Sequence, residues 1–86
     1  MIEPTVGRVV WYRAENDTIK HDGTQPLAAM VCYVHSPRMV NLVVYDPNGL
    51  PHSRTSVRLV QEGDANTQGS SYCEWMPYQI GQAKKN

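Results

Sequence analysis

The chain has no phenylalanine and only two cysteines, Cys32 and Cys73, among its 86 residues. Its aromatic bulk therefore rests on two tryptophans, Trp11 and Trp75, and five tyrosines. Two cysteines do not make a disulfide framework, and both read as small buried hydrophobes. Charge of one sign is also missing. Eight Lys and Arg balance eight Asp and Glu, for a net charge of zero. Binding that works by neutralising phosphates normally needs a basic surplus, so nucleic acid is disfavoured as a partner. No apolar run approaches the roughly 20 residues of a membrane span. The opening Met1-Ile2-Glu3-Pro4-Thr5 has neither the basic nor the apolar region of a signal peptide. No membrane association is expected, and synthesis is expected in the cytoplasm. The chain also lacks a G-x-G-x-x-G fingerprint, a P-loop and a nucleophile elbow. Neither enzymatic activity nor a cofactor is expected. A domain this small is also expected to leave little room for a pocket of several hundred cubic ångströms.

What is present has a period of two. Val40, Leu42 and Val44 alternate with Asn41 and Val43, and Val57 and Leu59 flank Arg58. Both are strand patterns. Residues 6–13, containing Val9, Val10, Trp11 and Tyr12, are rich in β-branched and aromatic types that suit a half-buried pleated surface. Residues 27–35 lie between Pro26 and Pro37 and read as a strand rather than a short helix. Residues 72–76 alternate again and are closed by Pro77. Ser36-Pro37-Arg38 predicts a tight turn between the second and third strands. Asp46-Pro47-Asn48-Gly49 predicts another between the third and fourth, because proline presets φ and Asn-Gly accepts positive φ. Residues 14–25 and 62–71 are polar and read as surface loops. No helix longer than a turn is predicted.

Five short strands with one long first loop and a central meander predict an all-β domain over residues 1–78. A five-stranded SH3-like barrel fits best, since closure removes exposed edges. An OB-like barrel is the alternative, although it would normally place a helix where Asp46-Pro47-Asn48-Gly49 stands. Residues 79–86 are expected to fray. The candidate core is Val9, Trp11, Ala29, Val31, Val40, Leu42, Val44, Val57, Leu59, Cys73 and Trp75. Both faces of the first strand are apolar, so its inward face stays open.

Four constellations could carry chemistry. Cys32-x-x-His35 with His52 and Cys73 offers zinc-type ligands. The second pair is widely spaced, and residues three apart on a strand point to opposite faces, so no metal is expected. Cys, His, Asp and Ser occur in no recognisable catalytic arrangement. With Trp11 and Trp75 inside, Tyr12, Tyr45 and Tyr72 would face outward beside Met39, Met76 and Tyr78. Such residues are enriched in protein interfaces. Arg54, Ser56 and Arg58 would share the outer face of the fourth strand and, with Arg38, form a basic stripe suited to single-stranded nucleic acid.

Pro4-Thr5-Val6-Gly7-Arg8-Val9-Val10-Trp11-Tyr12, Gln25-Pro26-Leu27-Ala28-Ala29, residues 40–49 and Cys73-Glu74-Trp75-Met76-Pro77 together resemble a group of small uncharacterised proteins of tailed bacteriophages and prophages. The resemblance runs from Pro4 to Tyr78. It departs from the pattern at Glu74 and Met76, and it carries no catalytic residues. It implies a phage origin and a location in the host cytoplasm or the virion. The expected function is a non-enzymatic module that binds a host or phage protein. A capsid or tail accessory protein acting by self-association is the alternative, and a single-stranded nucleic-acid-binding barrel is the third reading.

Overall fold

In the computed structural model, which describes residues 1–65 and 69–85, five strands close into a barrel. They are β1 (Val9–Arg13), β2 (Leu27–Ser36), β3 (Met39–Tyr45), β4 (Pro51–Val60) and β5 (Tyr72–Glu74). Neighbours are antiparallel except β4 and β5, which run parallel. A ring with an odd number of strands cannot alternate direction all the way round. The parallel pair falls where a long connection, rather than a hairpin, joins the strands. The all-β barrel expected from the sequence is the fold.

Both predicted hairpins form. Ser36 pairs with Met39 across a turn of Pro37 and Arg38. Tyr45 pairs with Pro51. Inside that second turn the Asp46 carboxylate accepts from the amides of Asn48 and Leu50, and Gly49 takes φ +87°. An L side chain at Gly49 would be strained there. A short turn thus joins β3 to β4, and the closed five-stranded barrel is of the small SH3-like or OB-like kind.

Several expectations are corrected. On β1 the inward residues are Val10 and Tyr12, while Val9 is exposed and Trp11 half-buried. Val9 and Trp11 therefore leave the predicted core, and Tyr12 leaves the predicted surface. The loop of residues 14–25 is not wholly superficial, because Ile19 drops into the core. Of residues 79–86, expected to fray, residues 79–84 are instead helical. They belong to a helix, α1 (Pro77–Lys84), that was not predicted. Pro77 supplies the preset φ of a first helical turn. The Gln79 side chain accepts from the Met76 amide at 2.7 Å, and its Nε2 donates to the Val9 carbonyl at 2.8 Å. One residue thus starts the helix and pins it to β1. Residue 86 and residues 66–68 of the second predicted loop lie outside the described residues.

The core comprises Val10, Tyr12, Ile19, Leu27, Ala29, Val31, Val40, Leu42, Val44, Val57, Leu59, Cys73 and Trp75. Its polar member is Gln61, only 2% exposed. Gln61 Oε1 accepts from the Ile2 amide and from Trp75 Nε1, both at 3.1 Å. Gln61 Nε2 donates to the carbonyls of Ile2 at 2.9 Å and Pro37 at 2.8 Å. All four hydrogen-bonding positions of the amide are filled. One side chain therefore ties the N-terminal segment, the β2–β3 turn and the buried tryptophan together.

Candidate protein-binding face

The outer side of β1, β2 and β3 is built largely from apolar side chains. Val9 pairs with Met30, Met30 with Val43, and Val43 with Ser53, giving one cross-strand row on four strands. Trp11 pairs with Ala28 in the next row. Alternation places Tyr45 on the same side as Val43. Val9 is 41% exposed and Met30 37%, while Trp11, Val43 and Tyr45 are half-buried. Opposite-face residues of the same strands (Val10, Tyr12, Ala29, Val31, Val44) fill the barrel. β1 thus reads as apolar on both faces because one face packs the core and the other lies on the surface. An ion pair frames this surface. Arg13 Nε lies 2.6 Å from Glu74 Oε2, and its guanidinium sits 5.5 Å from the Trp11 ring centroid.

The nine residues singled out from the sequence do not gather on one face. Tyr12 is 2% exposed, and its hydroxyl donates to Asp17 Oδ2 at 2.6 Å. Arg54 joins the same carboxylate from the barrel side, with Nε 3.1 Å from Oδ2 and Nη2 2.7 Å from Oδ1. Asp17 Oδ1 also accepts from the Ile19 amide. Hydrogen bonding from Arg54, more than any other influence, holds the Asp17 carboxyl well below its usual range. Burial, with the Asp17 bond second, raises the Tyr12 hydroxyl.

The predicted arginine stripe does not form. Register shifts between Val40 and Leu42, so that Arg54 opposes buried Leu42 whereas Arg58 opposes exposed Met39. The irregularity centres on Ser56, whose φ is +52° and whose amide donates to Asn41 Oδ1 at 2.8 Å. An extra residue in a strand inverts the facing of everything on one side of it. Arg54 and Arg58 consequently point to opposite sides of the sheet.

The remaining candidates are dispersed. Arg38 is exposed and makes a two-pronged contact with Asp64 at 3.0 and 3.1 Å, drawing that carboxyl down to about 2. Met39 stands beside Arg58, whose Nη2 donates to the Ala65 carbonyl. Met76 precedes α1, and Tyr78 projects from it, 73% exposed. Tyr72 is half-buried and pairs with Arg13. Cys32 is exposed while Cys73 is buried, with burial pushing its thiol up to about 12. No three His, Cys, Asp or Glu among the described residues come together in a group that could hold a metal.

Val9 and Trp11, expected in the core, lie on this outer face, and Met30 and Val43, outside the expected core, join them there. For Val9 and Trp11 the signal is the two-sided apolar character of β1, which suits a strand with one face in the core and one on the surface. The space at one end of this face is larger than so small a domain leads one to expect. A cleft of about 500 Å³ lies between residues 21–28 and the β3–β4 turn, and Ala28 and Tyr45 line it. Comparison with protein-family models, curated proteins and solved structures gave no match, so the functional reading rests on this chain's own geometry.

Proposed function

We propose that the protein is a small non-enzymatic protein-binding module and that the outer face of β1, β2 and β3 is its working surface. The observation that carries this reading is the row Val9–Met30–Val43 with Trp11 beside it. Apolar and aromatic residues grouped on an outer face, with polar groups at the rim, have the make-up of an interface core. The Arg13–Glu74 pair supplies part of that rim. Resemblance to small phage proteins supports a partner encoded by the host or the phage.

Self-association as a virion accessory protein is the second reading. The zero net charge favours it, because two copies carry no net repulsion. Site-specific photo-cross-linking separates the two. A photoreactive residue at Met30 should yield a discrete adduct in the bacterial cytoplasm, while the same group at exposed Thr55 should not. An adduct with a different protein supports the module, and one with a second copy supports self-association. The absence of any adduct specific to Met30 overturns both.

A further inference from the structure

The apolar face does not stop at Ala28 and Tyr45. Both also line the cleft of about 500 Å³, so the face runs into a recess. Pro26 and Pro47 add apolar wall, and Asp22 and Asp46 add two carboxylates. Among its described lining residues there is no Lys or Arg, and His21 is the one imidazole. Asp22 Oδ1 accepts from the Thr24 amide and hydroxyl at 3.0 and 2.8 Å. Asp46 Oδ1 accepts from the amides of Asn48 and Leu50, and its Oδ2 lies 3.2 Å from His52 Nε2. These bonds lower both carboxyls below their ordinary range, so both are charged at neutral pH.

We propose that this cleft receives a lysine or arginine side chain from the partner segment that covers the outer face. The inference rests on the protein-binding reading and names the chemistry of what is bound. Charge complementarity selects the occupant. An anionic group would meet two carboxylates, and an apolar one would strip water from them without compensation. A cationic side chain instead lays its methylene stem along Pro26 and Tyr45 while its head reaches the acids. The Tyr45 ring adds a surface on which a guanidinium or ammonium is attracted. The partner would carry apolar residues for Val9, Trp11 and Met30, with a basic residue at one end.

The test uses the full chain and a displayed library of random short peptides. Selected peptides should place a Lys or Arg at a fixed spacing from apolar residues. Replacing that residue by Gln should weaken binding about tenfold, as expected for loss of a charge-assisted contact. The Asp22→Asn/Asp46→Asn variant, which keeps the turn-forming acceptor oxygens, should weaken it by a similar factor. Combining the two changes should add little. Peptides without a basic residue, weakened by Trp11→Ala and indifferent to Asp22→Asn/Asp46→Asn, would overturn the cation cleft and leave the apolar face standing. Failure to enrich any peptide would overturn both.

Discussion

The Tyr12 hydroxyl, on the buried side of β1, donates a hydrogen bond to Asp17 Oδ2 at 2.6 Å, and Trp11, its neighbour in sequence, lies on the opposite, outer side. Adjacent strand residues point to opposite faces. Asp17 is brought to Tyr12 by the loop after β1 and is held there by Arg54 of β4. A polar contact between a loop and a distant strand accompanies the burial of this face of β1, which Val10 and Tyr12 pack into the core.

Tyr12→Phe removes a hydrogen bond to a charged acceptor and should cost about 1.5–3 kcal/mol in urea unfolding. A cost within error of zero would show that the bond adds nothing net.

Acid should weaken the fold through the same carboxylate. The Asp17 pKa is depressed in the folded state, so its stabilisation is complete above the ordinary carboxylate range near 4 and drains away as pH falls below it. Asp64, drawn down to about 2 chiefly by its Arg38 bonds, acts in the same direction from a more exposed position. Asp17→Asn should therefore be less stable at neutral pH but show a shallower loss between about pH 4 and 2. Denaturant midpoints across that range provide the check. An unchanged slope would remove Asp17 from the acid response.

Gln61 offers a test of hydrogen bonding against shape. Gln61→Leu abandons the Trp75 indole, both Ile2 backbone groups and the Pro37 carbonyl, and should cost on the order of 3 kcal/mol. Gln61→Glu has nearly the original shape but turns the donor toward two carbonyls into an acceptor. It should be at least as damaging at neutral pH. Rescue by Glu would mean that packing, not donor placement, matters at this site.

Ser56 carries a left-handed φ of +52° and its amide is anchored by Asn41. Ser56→Gly relieves that conformation and should be neutral or stabilising by up to about 1 kcal/mol, despite glycine's greater freedom when unfolded. Ser56→Val should be clearly destabilising. Thermal melts of the pair decide it, and a reversed order would contradict the assigned conformation.

The local parts of the fold were legible in sequence. Both hairpins follow from turn residues that act within a few positions, and the alternation of Val40, Leu42 and Val44 needs no distant partner. Long-range choices were not. The buried side of β1 sets Tyr12 against Asp17, itself held by Arg54, and no periodicity links these residues to Tyr12. The inversion along β4 depends on one residue in an unusual conformation, and Ser56 carries no sequence mark of it. The helix had signals, Pro77 and Gln79, but only Ile80 packs against the core from it, too little for an amphipathic pattern. For the candidate site, alternation along β3 places Tyr45 outside from sequence alone, whereas Trp11 and Val9 suit the interior of β1 equally well by apolar character.

The two tryptophans should therefore part company. Trp75, 2% exposed and bonded to Gln61, should cost about 3–5 kcal/mol when replaced by alanine. Trp11, half-buried on the outer face, should cost under about 1 kcal/mol.

The most direct test of the central claim combines that difference with binding. In cells carrying the photoreactive residue at Met30, Trp11→Ala should leave the melting midpoint close to that of the parent while lowering the adduct yield about tenfold or more, as for an aromatic anchor at an interface. Full adduct yield from a normally folded Trp11→Ala protein would contradict the claim that the outer face of β1, β2 and β3 is the binding surface.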